Sequence, residues 1–154
     1  ATSVTLSNVL TTAAGYADLV AVVEMTDTSD GNGFGIYLNN VTTGFLYSVV
    51  ALAGNGSSDA SFVRANSNDP EFSYFCTTSS TVRSLYQISL FDFTATNKHK
   101  TALVRIDNAS KGTEAWAYRL ASTAAVNTIR FTIGGLGKFA IGSTIKVYGI
   151  KAVA

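Results

Sequence analysis

The sequence predicts an all-β protein: a single antiparallel β-sandwich with jelly-roll-like connections and about ten short strands. Apolar and polar residues alternate with a period of two in many short runs, which places alternate side chains in a core and in water. Clusters of Gly, Asn, Asp and Ser separate these runs at the interval typical of a sandwich. No amphipathic stretch is long enough for a helix of three turns.

The N-terminal half of the chain supplies the first predicted strands. Residues 2–10 alternate through Val4 and Leu6, and we expect them to form either an N-terminal arm or an edge strand. Residues 16–25 are a denser apolar run that ends in the turn-rich segment 26–33. The strands predicted in this half are 2–10, 16–25, 34–41, 44–53, 61–65 and 71–76.

The C-terminal half alternates more regularly. The predicted strands are 84–93, 102–106, 114–120 and a closing pair within 128–151. In the closing pair, apolar residues alternate from Ile129 to Ile133 and again from Ile145 onward, on either side of a glycine-rich connection. We therefore expect a hairpin-like pair at the end of the protein. Uneven strands with several apolar faces favour two packed sheets over a closed barrel.

The composition fits one domain, residues 1–154. The chain is 47% hydrophobic and only 14% charged, whereas soluble proteins carry about 25% charged residues. Ser, Thr, Asn and Gly make up the difference, which suits a turn-rich sandwich or a protein whose surface is covered by partners. Ala1 is the kind of small residue left when an initiator methionine is removed, and we expect a whole small gene product.

Charge and cysteine content exclude several classes of protein. The net charge is +1, and the densest basic cluster, residues 98–100, is too small to neutralise a run of phosphates, so we expect no nucleic-acid binding. No apolar run approaches the ~20 residues of a membrane helix, and none indicates a signal sequence. Cys76 is the single cysteine, so no intrachain disulfide forms, which fits assembly in a reducing cytoplasm.

The sequence predicts no enzyme active site. Any nucleophile–histidine pair must use His99, the sole histidine, which lies between two lysines in a loop and is expected to be exposed. Cys76 is far from it in sequence, and the ten acidic residues are scattered among turns without an evident pair. We therefore predict no catalytic residue.

Two loops contain residues that resemble ligand-binding motifs. Asp27, Asp30 and Asn32 offer oxygen ligands at short spacing, but Gly31 falls one residue early for an EF-hand and no glutamate follows. A tight turn held by Asp or Asn side chains is the favoured interpretation. The glycine-rich segment 134–138 lacks a hydroxyl residue after its lysine and lies between strands, which argues against a phosphate-binding loop. We predict no metal and no cofactor.

Aromatic residues leave one binding function open. Side chains such as Tyr37, Tyr47, Tyr74 and Trp116 could stack on sugar rings, although most aromatic residues of sandwiches fill the core. Carbohydrate binding therefore stands as an alternative.

From residue 98 onward the chain resembles the C-terminal half of a jelly-roll-like domain of tailed-bacteriophage virion structural proteins. Four segments resemble the domain in its order: Lys100-Thr-Ala-Leu-Val-Arg105, Gly112-Thr-Glu-Ala-Trp-Ala-Tyr-Arg119, Ser122-Thr-Ala-Ala-Val-Asn-Thr-Ile129 and Phe139-Ala-Ile-Gly-Ser-Thr-Ile-Lys-Val-Tyr-Gly-Ile150. The resemblance implies a virion component without catalytic residues.

The resemblance and the composition together favour a capsid decoration (cement) protein on the virion surface. We expect a homo-oligomer, a trimer or a dimer, that bridges subunits of the major capsid protein or another virion protein. The alternative is a tail-fibre or receptor-binding module that recognises host carbohydrate. The binding residues are not predicted individually, but residues 1–10 and the loops around Gly31 and Asn55 are candidate docking elements.

Overall fold

The computed structural model of the protein describes residues 1–9, 15–44, 46–68, 71–72 and 76–151, with the backbone alone at residues 65 and 66. Its named elements are all strands, which confirms the predicted all-β class. They are β1 Ser3–Leu6, β2 Tyr16–Met25, β3 Phe34–Leu38, β4 Tyr47–Gly54, β5 Asp59–Ser67, β6 Glu71–Phe72, β7 Ser84–Phe91, β8 Lys100–Asn108, β9 Gly112–Leu120, β10 Ile129–Ile133 and β11 Thr144–Lys151.

The strands form two antiparallel sheets of unequal size. The smaller sheet has the order β1-β10-β3-β6, and the larger has the order β11-β2-β7-β8-β9-β4-β5. The chain changes sheet at each step from β1 to β4, which is jelly-roll-like connectivity. The β7–β8 hairpin lies between β2 and β9, and β11 adds a further edge strand beyond β2.

The core lies between the sheets because each strand alternates buried and exposed positions. In β7, β8 and β9 every second side chain is buried, as the sequence pattern predicts. Aromatic rings join the two layers: the centroids of Phe34 and Tyr86 are 4.2 Å apart, and those of Phe72 and Trp116 are 5.8 Å apart. Contacts of this kind fix the spacing of the sheets.

Several strand bounds differ from the prediction by a few residues. The bounds of β2 are as predicted, whereas β3 ends at Leu38 because Asn39 and Asn40 adopt positive φ angles of 52° and 54° and turn the chain. Residues 10, 45 and 73–75, which belong to predicted strands, lie outside the described residues. Residues Ser3–Leu6 form an edge strand that pairs with β10.

The predicted hairpin at the end of the chain is wrong. Strand β10 lies in the smaller sheet between β1 and β3, whereas β11 pairs with β2 at the edge of the larger sheet. The connection, residues 134–143, can span the roughly 10 Å between packed sheets, so two consecutive alternating strands need not pair with each other. Gly149 allows β11 to pack closely against β2, because the ring of Tyr16 occupies the space that a side chain at position 149 would need.

Gly112 provides a test of how closely the β8–β9 turn packs on the end of β4. Its φ is +124°, and a Cβ at this position would overlap Gly54 O and lie 2.8 Å from Asn55 Cα. Gly56 also has a positive φ, +85°, but a Cβ there meets nothing within 4 Å.

We expect Gly56→Ala to cost about 1 kcal/mol in unfolding free energy through backbone strain alone. Gly112→Ala should cost about 3 kcal/mol or more, measured by denaturant unfolding. Equal losses for the two variants would contradict this packing.

Candidate functional site

The two motif-like loops pack against each other. The N–H of Lys138 donates to Asp27 Oδ1 at 2.7 Å, and Asn32 Nδ2 donates to Asp27 Oδ2 at 2.8 Å. Gly137 lies so close to Asp27 and Asn32 that a side chain there would overlap both. The Lys138 N–H of the glycine-rich segment therefore binds the carboxylate of Asp27. This hydrogen bond joins the loop of residues 134–138 to the loop of residues 26–33.

The Asp27 carboxylate is buried and has further partners. It accepts hydrogen bonds from the Thr28 N–H and from Thr78 Oγ1, both at 2.6 Å. Burial raises the pKa of Asp27, but the hydrogen bonds from Thr78, Asn32 and two backbone N–H groups outweigh it and hold the pKa below its usual value of 3.8. Asp30 lies apart from this cluster and accepts the N–H of Ser80 at 2.6 Å. The described residues contain no group of three His, Cys, Asp or Glu side chains that could hold a metal ion.

Cys76 and His99 lie at opposite ends of β9. The buried Cys76 donates its N–H to Glu114 Oε1 at 2.6 Å, and burial, followed by the charge of Glu114, raises the pKa of its thiol to about 12. His99 is exposed and contacts Arg119. Glu114 and Arg119 are five residues apart on this strand, or about 16 Å. The structure does not bring the thiol and the imidazole together.

The aromatic residues proposed for sugar stacking are mostly in the core. Tyr47 and Trp116 are fully buried. Tyr37 is partly buried, and the Arg130 guanidinium lies 4.4 Å from its ring centroid. Tyr74 lies outside the described residues. Three of the four named side chains are thus occupied by contacts within the protein.

The segments expected to dock are tied to the rest of the chain. The Ala1 carbonyl accepts the N–H of Phe139 at 2.8 Å, and the Gly31 N–H donates to the Thr78 carbonyl at 2.9 Å. Asn55 Oδ1 accepts two N–H groups within its own loop, at 2.8 and 2.9 Å. These hydrogen bonds hold the three segments against the sandwich or within a tight turn.

An apolar surface that the sequence interpretation missed lies on the outer side of the larger sheet. Four large exposed side chains cluster there on β4, β5 and β8: Val50 at 46%, Leu52 at 68%, Val63 at 73% and Leu103 at 55%. Leu85 of β7 and Tyr148 and Ile150 of β11 are exposed elsewhere on the same face. The strand register places Leu103, Ala117, Val50 and Val63 in one row across β8, β9, β4 and β5. A second row contains Ala115 and Leu52, so the exposed side chains form one continuous patch.

Small side chains on β9 make this patch concave. Ala115 and Ala117 form the floor of a groove, with Val50 and Leu52 of β4 on one side and Leu103 of β8 on the other. We call these five residues the β9 groove. It consists of two adjoining depressions of about 510 and 590 Å³ that share Val50, Ala117 and Leu103.

The outer side of the smaller sheet is different. Its outward positions include Thr5, Tyr37, Arg130 and Thr132, which are polar, charged or stacked on one another. Because one outer face is polar and the other is apolar and concave, the larger sheet provides the better binding surface.

The sequence does carry a signal for the β9 groove. Residues 49–53 read Val-Val-Ala-Leu-Ala, so the middle of strand β4 is apolar on both faces. A strand that is apolar on both faces is typical of a sheet covered on both sides. Alternation predicted which residues of β4 point into the core. The two apolar residues that point outward, Val50 and Leu52, are the signal that the outer face is covered as well.

No family model, curated protein or solved structure matches the chain. Among the described residues, no helix is long and apolar enough to cross a membrane.

The Asp27 contacts predict a pH dependence of stability. A carboxyl group whose pKa is lowered on folding adds stability above its unfolded pKa, and this stability is lost as the pH falls through the folded value. We expect Asp27→Asn to cost about 2 kcal/mol of unfolding free energy near neutral pH, because the amide cannot accept all four hydrogen bonds. The difference from the wild type should shrink as the pH falls well below 3.8.

Denaturant unfolding across this pH range checks that expectation. Asp59→Asn, at an exposed position, serves as the control and should change stability little. An Asp27→Asn deficit that stays constant down to strongly acidic pH would show that the carboxylate charge plays no part.

Proposed function

We propose that the protein is a structural component of a bacteriophage virion that decorates the capsid and stabilises the shell by bridging its subunits. The observation that carries the proposal is the β9 groove, an exposed concave apolar surface on a rigid sheet. Such surfaces mark sites of protein–protein contact, because leaving them in water is unfavourable. The resemblance of residues 100–150 to virion domains supplies the class of partner.

The size of the sheet suits this role. Seven strands about 4.8 Å apart, each eight to ten residues long, cover roughly 34 by 29 Å, which is about 1,000 Å². A stable interface buries about 800 Å² on each partner. The outer face of the larger sheet can therefore supply one standard interface, with the apolar patch at one end of it.

The mechanism requires no chemical step. A protein that binds the assembled shell and not its dissociated subunits shifts the equilibrium toward the shell by mass action. A sandwich with a buried aromatic core changes little on binding, so little free energy is lost in ordering it. Homo-oligomer formation through other edges, such as β5 or β11, would multiply the contacts that each assembly makes.

Binding to purified capsid shells of the phage that encodes the chain tests the proposal. We expect cosedimentation at micromolar concentration, and we expect Leu52→Asp to weaken it by about tenfold or more, since it places a charge in an apolar contact. Ile141→Asp is the matched control, because it makes the same type of change at an exposed loop position away from the sheet. Both variants should keep their unfolding free energy to within about 1 kcal/mol.

The copy number per virion separates the capsid from the tail. Quantitative mass spectrometry should find hundreds of copies for a decoration protein, whereas a tail or fibre protein is present in a few to a few tens. Binding to a glycan array without binding to shells would support the receptor-binding alternative and overturn the capsid proposal.

A further inference from the structure

The β9 groove has a shape and a charge that define its partner more closely. We infer that it binds an acidic protein segment, one that presents two apolar side chains about 6.7 Å apart and carries Asp or Glu beside them. This inference rests on the proposed function in so far as the segment belongs to a virion protein, but the chemistry of the segment follows from the groove alone.

The spacing of the apolar side chains comes from the floor of the groove. Ala115 and Ala117 point to the same side of β9, and residues two apart on a strand are about 6.7 Å apart. The walls stand on β8 and β4, two strand spacings or about 9.6 Å from each other. This width admits single side chains between Leu103 and Val50. Alternate residues of an extended segment have the same spacing as the two alanines of the floor.

The charge comes from the arginines around the groove. Two charged residues that line the depressions, Arg105 and Arg119, lie in the outward phase of β8 and β9, and none of the lining residues is Asp or Glu. Arg64 also borders one depression, but it lies opposite the buried Val49, and its guanidinium is 5.3 Å from the Phe62 ring centroid. Arg119 lies at one end of the floor and Arg105 lies on the β8 side toward the other end. Arg105 bonds Asp107 at 3.0 Å in an exposed pair and has further N–H donors that can bind a carboxylate of a partner. An acidic segment therefore complements both ends of the groove.

A second copy of this chain does not fit the groove with the same surface. Two concave faces placed against each other leave a void between Ala117 and its symmetry mate, and voids forfeit packing energy. A twofold pairing of this kind would also place a surface containing Arg105 and Arg119 against an identical surface. Like charges across an interface oppose association. The occupant is thus a convex, acidic element of a different protein or segment.

Two peptides of equal apolar content test the inference on the intact protein. The probes are acetyl-Asp-Glu-Leu-Thr-Leu-Glu-Asp-amide and acetyl-Lys-Lys-Leu-Thr-Leu-Lys-Lys-amide. We expect the acidic peptide to shift the backbone NMR signals of residues 50, 103, 115 and 117, with a dissociation constant of about 1 mM or below. The basic peptide should bind at least about threefold more weakly, and added salt should reduce the difference.

Two variants with matched controls connect binding to the groove. Ala117→Leu fills the floor and should weaken binding of the acidic peptide by about tenfold, whereas Ala109→Leu, at an exposed turn, should leave it unchanged. Arg119→Glu should reverse the preference between the peptides. Lys146→Glu makes the same change of charge at the far side of the sheet and should preserve the preference.

The outcomes separate this inference from the proposed function. Equal affinity for the two peptides, signal shifts away from the groove, or no shift with either peptide would overturn the inference. If shells bind the protein and neither Ala117→Leu nor Arg119→Glu weakens that binding, the proposed function stands and the inference fails. If the acidic peptide binds as expected and shells do not bind, the inference stands and the capsid proposal fails.

Discussion

The packing of aromatic side chains between two unequal sheets is the interaction on which the rest of this structure depends. Phe34 lies 4.2 Å from Tyr86, centroid to centroid, and Phe72 contacts the rings of Trp116 and Tyr118 at 5.8 and 5.6 Å. These rings fill the interior and fix which side chains of β3, β6, β7 and β9 point inward. Once the inner positions are fixed by the rings, the remaining positions must face outward, so the apolar side chains of the outer face are a consequence of the core as well as of the sequence.

Buried polar groups then fix the loops at the ends of the sandwich. Glu114 accepts the indole N–H of Trp116 at 2.7 Å and the N–H of Cys76, so a carboxylate on the inner side of β9 holds the backbone at Cys76. Lys100 is buried and donates to the carbonyl of Ala95, and Asp27 joins two further loops. Buried charged groups of this kind are tolerated only when they are bonded. They stabilise a fixed scaffold, which suits the proposed function.

The sequence predicted the elements better than their arrangement. Alternation identified the strands because it reports burial directly, and the bounds of β2 agree to the residue. Alternation could not show that β10 and β11 lie in different sheets. Two strands that pair with each other and two strands in different sheets have the same local pattern, and the connection is long enough for both arrangements. The meeting of Asp27 with Lys138 depends on residues 111 positions apart, which no local spacing reveals. The apolar residues on both faces of the middle of β4 predict part of the β9 groove. Its alanine floor could not be predicted, because it depends on which strands pair and in which register.

We propose that the protein acts by contact through the outer face of its larger sheet. Hydroxyl-radical footprinting of the protein in purified virions and free in solution tests that claim most directly, because it reports the exposure of individual side chains. We expect oxidation of Leu52, Val63 and Leu103 to fall several-fold in the virion, while the exposed loop residues Leu136 and Ile141 are oxidised to a similar extent in both samples. Equal oxidation of Leu52, Val63 and Leu103 in the two samples would contradict it.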